Sequence, residues 1–128
     1  MKTLNQFHDG FLDGLLIQGT AVRVFLSTED RQEFVLEVRG VLYLKVDEFR
    51  EGNIIFDVLE RDGDDLTFQD MMDFFGFKDE ARARRELDEA RGKNLIVLEI
   101  NPSYGATCII LAESVELLPR NDLSSGPL

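Results

Sequence analysis

AVRVFLSTEDRQEFVLEVR, residues 21–39, reads as two strands joined by a turn. Val22, Val24 and Leu26 fall on one side of an extended chain, and Arg23, Phe25 and Ser27 on the other. TEDRQ interrupts the pattern with turn-forming polar residues. Alternation then resumes: Phe34, Leu36 and Val38 share a face, while Glu37 and Arg39 point the opposite way. A period of two on both sides of a polar turn predicts an antiparallel hairpin with one face in the core and one in water.

The same period extends outward from this hairpin. Upstream, FLDGLLIQ (11–18) predicts a strand that Gly19-Thr20 turns into Ala21. Downstream, Gly40 punctuates, and VLYLKV (41–46) and NIIFDVLE (53–60) follow. In the latter, Ile54, Phe56 and Val58 alternate with Ile55, Asp57 and Leu59. Both faces are largely apolar, which predicts a central strand covered on each side. The period then changes. Thr67 and Asp70 stand at capping-box spacing, Phe68, Met71, Met72 and Phe75 recur at helical spacing, and Gly76 suits a left-handed helix end. A second helix is predicted in KDEARARRELDEARG (78–92), with Asp79 as its N-cap and Gly92 as its stop. Its apolar stripe is only Ala83, Leu87 and Ala90, and Glu80–Arg84, Arg84–Asp88 and Arg85–Glu89 are spaced to pair on its polar side. NLIVLEI (94–100), a turn at NPSYG (101–105), ATCIILA (106–112) and SVELL (114–118) return to strand. The predicted fold is α+β: a mainly antiparallel bent sheet or partial β-barrel of about seven to nine strands, with two helices inserted before the last strands. Residues 1–119 form one expected domain, and 120–128 an expected disordered tail.

Composition narrows the function classes. The 128 residues suffice for one domain with its own core. The single cysteine, Cys108, allows no intrachain disulfide and gives no sign of an oxidising compartment. Lys2 is the only early cation, and Asp9 and Asp13 break what would be the apolar stretch of a signal peptide. No apolar run approaches the roughly 18 residues a membrane span needs. The expectation is a cytoplasmic bacterial protein. A net charge of −11 with no basic stripe disfavours nucleic acid and suits a basic protein partner. The charge is concentrated: residues 57–80 hold nine acids against two bases, a net of −7. Within this stretch Asp62, Asp64, Asp65 and Asp73, with Phe74 and Phe77, form a candidate partner-binding surface of aromatic anchors in an acidic field. The competing reading packs these rings between helix and sheet.

Signatures of enzymes and cofactor sites are missing from the sequence. With one histidine there is no His-rich zinc site and no H-E-x-x-H. Neither G-x-S-x-G nor a glycine-rich phosphate or dinucleotide loop occurs. ERDGDD (60–65) departs from the order of a calcium loop and reads as a solvated turn. Cys108 lies in an apolar strand, where a small buried side chain is expected rather than a nucleophile paired with His8. No metal and no cofactor are expected. One polar constellation remains, in FHDGFLDG (7–14). His8, Asp9 and Asp13 form a candidate ligand-binding pocket. The alternative is a kinked first strand, in which Gly10 and Gly14 take the bends and His8 satisfies a local hydrogen bond.

FHDGFLDG, followed by a strand pair and GVLYLKVDEFREGNIIFDV, resembles a family of small uncharacterised bacterial proteins with an N-terminal F-H-D-G signature. Some relatives of that type look like immunity proteins of bacterial toxin systems. The resemblance spans Phe7 to Val58 and carries no catalytic residue. It implies a non-enzymatic binding protein, whose acidic, partly aromatic face occupies a basic partner's active site. A small enzyme or ligand-binding domain built on His8, Asp9 and Asp13 is the second reading. A homo-oligomer joined by an edge strand or the Phe-rich helix is the third.

Overall fold

The computed structural model describes residues 1–75 and 79–120. Gly76, Phe77 and residues 121–128 of the expected tail lie outside them. The described residues form β1 (Lys2–Thr3), a 3-10 turn (Asn5–Phe7), β2 (Phe11–Gln18), β3 (Ala21–Ser27), β4 (Glu33–Arg39), β5 (Tyr43–Asp47) and β6 (Asn53–Asp62). A second 3-10 turn (Gly63–Asp65), α1 (Phe68–Phe75), α2 (Glu80–Ala90), β7 (Ile96–Tyr104), β8 (Thr107–Ala112) and β9 (Ser114–Pro119) follow. The strands build one antiparallel sheet in the order β5-β8-β7-β6-β2-β3-β4-β9, with β1 added to β6. This is the expected bent α+β sheet with two helices ahead of the last strands.

Two chain corners bend it. β4 pairs with β9 and β5 pairs with β8, yet β4 leads into β5 and β8 into β9. The corners touch: Glu113 N donates to Arg39 O (3.1 Å), and Leu42 N donates to Leu111 O (2.8 Å). Gly40, at φ +64°, makes the first corner, with the Glu113 side chain filling the space where a Cβ would stand. The two ends of the sheet are therefore brought together by the chain itself, without a ladder between β5 and β9. Val41 and Leu42, expected in the strand, belong to this corner.

The concave side encloses the main core. Val22, Val24, Leu26, Leu36 and Val38 of the hairpin meet Val58, Leu98, Ile100 and Ile110 from the other strands. A second core lies on the convex side, where Met71, Met72, Ala83, Leu87 and Ala90 pack the helices onto Leu95, Val97 and Leu111. The expected helix caps that fall on described residues form. Thr67 N donates to Asp70 Oδ2 and Asp70 N to Thr67 Oγ1, at 2.8 and 3.2 Å. Asp79 Oδ1 accepts from Arg82 N, and Gly92 ends α2 at φ +79°. Tyr43 holds α2 to β5. Burial, reinforced by its hydrogen bond to Glu86, pushes its hydroxyl up to about 12.

Four expectations need correction. The second face of the hairpin is not wet along its length: Arg23, Val35 and Glu37 are buried there. Glu37 satisfies this burial by bonding Arg23 through one oxygen (3.1 Å) and Arg39 through the other (3.0 Å). NPSYG is not the turn; β7 runs through it to Tyr104, and Gly105-Ala106 turn instead. A proline is tolerated there because β6 and β7 pair irregularly opposite it. β6 is central but not covered on both sides, because the helices lie over β7, β8 and β5. On α2, Arg84 stacks 4.3 Å from the centre of the Phe68 ring rather than pairing along its own helix.

Candidate functional site

The Phe7–Gly14 segment sits where β2, β3 and β6 meet. Phe7 is fully buried, with its ring edge-on to Phe34 at 5.5 Å. A tight turn follows, in which Gly10 N donates to Phe7 O at 2.8 Å. Two bonds dock this turn on β6: Asp9 N to Ile55 O (3.0 Å) and Ile55 N to Gly10 O (2.9 Å). The positive φ falls on Asp9 (+60°), not on the glycine after it. Asp tolerates this region better than most residues. Gly10 is required for a different reason: a Cβ would collide with the carbonyl oxygen of Ser27. Nothing approaches Gly14 closely, and the irregularity in β2 is a bulge at Asp13.

His8 makes a long-range bond rather than a local one. Its Nδ1 donates to Phe56 O at 2.7 Å. A carbonyl only accepts, so Nδ1 carries the proton in this contact. Phe56 is the extra residue of a bulge in β6, between the pairs Ile55–Pro102 and Asp57–Asn101. The bulge breaks the expected alternation, turning Ile55 and Val58 inward and leaving the Phe56 ring 53 % exposed. The His8 ring meets that ring edge-to-face at 5.6 Å. Its Nε2 lies 3.6 Å from Asp9 Oδ2, and both side chains are more than half exposed.

Three open clefts meet along this segment. One, of about 440 Å³, is lined by Thr3, Leu4, Asn5, His8, Phe56 and Asp57. A second, of about 610 Å³, lies on the other side of His8 against Gln6, Thr28, Glu29 and Asp30. The third, of about 450 Å³, includes Phe11, Asp13, Arg31, Phe49 and Arg50. His8 therefore stands between the first two clefts, Asp9 lines none of the three, and Asp13 opens into the third, 3.7 Å from Arg31. The three predicted ligand residues do not converge on one cavity. Arg31 lies over the Phe11 ring at 3.7 Å. Register places Phe11, Ile54 and Tyr104 side by side across β2, β6 and β7. Tyr104 and Phe49 are each about half exposed.

The acidic stretch is largely occupied by structural work. Asp62 Oδ1 accepts from Asp64 N, and Asp64 Oδ1 accepts from Gly92 N beyond α2, both at 2.9 Å. Asp65 is exposed. Asp73 is also exposed; its side chain accepts from Gln69 and its carbonyl from Lys45. Phe74 is half-buried, 5.9 Å from the Tyr43 ring, in the helix–sheet core. Cys108 is buried, and that burial pushes its thiol up to about 12, so it is a core side chain. Among the described residues no three His, Cys, Asp or Glu side chains gather as a metal would need. The exposed Phe49, Phe56 and Tyr104 went unmarked in the sequence. The one available sign was Pro102, since a proline inside a paired strand signals a local break in the ladder.

No family model matches the chain, and no curated protein and no solved structure matches it.

Proposed function

We propose that this chain is a non-enzymatic protein-binding domain that docks a basic partner through the surface around His8. The carrying observation is the outward row of Phe11, Ile54 and Tyr104 on three adjacent strands, continued by the exposed rings of Phe56 and Phe49. Such rings gain about 25 cal/mol for each Å² of apolar surface removed from water. Contiguous patches of this kind mark interaction sites. Asp9, Asp13, Glu29, Asp30, Glu51 and Asp57 surround them, against Arg31 and Arg50. Opposite charge on a partner would speed encounter and fix its orientation.

The surface has the acidic, aromatic character expected of the α1 stretch, but it lies along β2, β6 and β7. The resemblance of Phe7–Val58 to immunity-type proteins supports the same reading, because it implies an inhibitor that fills a basic partner's active site. A cytoplasmic setting belongs to the same proposal. A catalytic pocket has weaker support, since His8 and Asp13 face different clefts.

The test compares partner capture from the source cells by the wild type, by Phe56→Asp/Tyr104→Asp and by Asp73→Ala. The expected partner is rich in Lys and Arg and binds less tightly as salt rises. The aromatic double variant weakens it by about tenfold or more, and Asp73→Ala leaves it unchanged. A partner without excess positive charge, or one lost with Asp73→Ala and retained by the double variant, would sink the proposal.

A further inference from the structure

Among the described residues, three half-buried phenylalanines are covered by the protein's own arginines. The guanidinium carbon of Arg31 lies 3.7 Å from the Phe11 ring centre, that of Arg84 4.3 Å from Phe68, and that of Arg120 4.9 Å from Phe25. Each sets a planar, weakly hydrated cation on the electron-rich face of a ring. Phe56, like Phe49 and Tyr104, departs from the pattern. Its ring is among the most exposed, and among the described residues no guanidinium or ammonium covers it.

That ring is held in place rather than left loose. A bulge sets its backbone, His8 binds its carbonyl, and the His8 ring packs against it at a steep angle. The next residue, Asp57, lines the same cleft of about 440 Å³. Its Oδ1 accepts from Asn101 Nδ2 at 2.8 Å, which orients the carboxylate. Thr3, Leu4 and Asn5 complete the wall and bring no cation. A flat ring beside an oriented carboxylate is what a guanidinium needs: a face to stack on and an acceptor for its N–H groups.

We infer that this cleft seats an arginine side chain of the basic partner, stacked on Phe56 and hydrogen-bonded to Asp57. The inference rests on the partner surface proposed above and names the side chain that surface takes. Arginine fits better than lysine because its planar group can stack and donate at once, whereas an ammonium acts as a point charge. The net charge of −11 favours a cationic occupant.

The test titrates isotope-labelled protein with two peptides of equal charge, an Arg–Gly repeat and a Lys–Gly repeat, at low salt. The arginine peptide should shift the resonances of Phe56, Asp57, Asn5 and His8, and bind about three- to tenfold more tightly than the lysine peptide. Phe56→Leu should erase that preference while leaving the lysine affinity unchanged. Asp57→Asn, which keeps the ring, should weaken the arginine peptide and retain part of the preference. Equal affinity for the two peptides, shifts centred on the acids of α2, or a preference that survives Phe56→Leu would overturn the inference. If the preference holds at Phe56 while the partner docks elsewhere, the arginine seat stands and the partner surface falls. If the partner docks here without arginine preference, the seat alone falls.

Discussion

Asn53 joins three segments of chain at the end of the sheet nearest the clefts. Its Oδ1 accepts from Arg50 N at 2.8 Å and from Ala106 N at 3.0 Å, while its Nδ2 donates to Leu12 O at 3.2 Å. The side chain is buried, so no water replaces a lost bond cheaply. Asn53→Ala would leave two donors and one acceptor short of partners and should lower stability by about 2–4 kcal/mol. Urea unfolding followed by circular dichroism measures this. A loss below about 0.5 kcal/mol, the range of an ordinary surface change, would show that Asn53 does not join these segments. Gly105 depends on the same residue, because it holds φ +88° and a Cβ there would collide with Asn53 Oδ1. None of this is legible in the sequence, where Asn53 is one polar residue at the start of a strand and two of its three partners, Leu12 and Ala106, lie far away along the chain. The Asp9-Gly10 turn was legible. That its glycine serves close packing rather than a positive φ was not, because the carbonyl of Ser27, which leaves no room for a Cβ at Gly10, approaches from across the sheet.

At the scale of elements, local chemistry was readable, including the kink at Asp13-Gly14, and the bulge at Phe56 was not. Thr67 and Asp70 lie three residues apart and their reciprocal bonds form as expected, since a capping box needs no distant partner. The bulge at Phe56 depends on the neighbouring strand and has no glycine to mark it, so strict alternation misplaced Phe56. Asp70 also shows how elements are tied together. Arg61 of β6 makes a two-point bond to it at 3.2 and 3.3 Å and also binds Glu99 of β7. Burial alone would raise the Asp70 carboxyl. The Arg61 bonds, the Thr67 bonds and the charge of Arg61 outweigh it, holding Asp70 below the usual carboxylate range. A carboxyl lowered by folding contributes stability that is present above its unfolded value, about 3.9, and is lost as pH falls through its folded value. Wild-type melting temperature should therefore drop on acidification below about pH 4. Asp70→Asn should be less stable near pH 7, by about 1 kcal/mol or more from the damaged cap and ion pair. The gap to wild type should narrow toward pH 2, as wild-type Asp70 is protonated. Thermal scans across this range check it, and a gap that stays constant contradicts the assignment.

At the scale of the whole molecule, the two faces of the sheet are used unequally. The concave face is filled by the main core, and the helices cover the convex side of β7, β8 and β5. The outer row on β2, β6 and β7 is left in contact with water, with exposed aromatics and carboxylates around it. The class of fold was legible because hydrophobic period and turn chemistry agree along most of the chain. The surface was not, because it is assembled from residues 3–13, 28–31 and 49–57 with Tyr104, and no single window holds more than a fragment of it. The central claim is that this surface, and not the helical one, meets a partner. The most direct measurement places a photo-crosslinking amino acid at Phe56, at Tyr104 and, on α2, at Glu89, and irradiates living source cells. Crosslinks from Phe56 and Tyr104 to one protein rich in Lys and Arg, with none from Glu89, are predicted. Crosslinks from Glu89 alone would contradict the account.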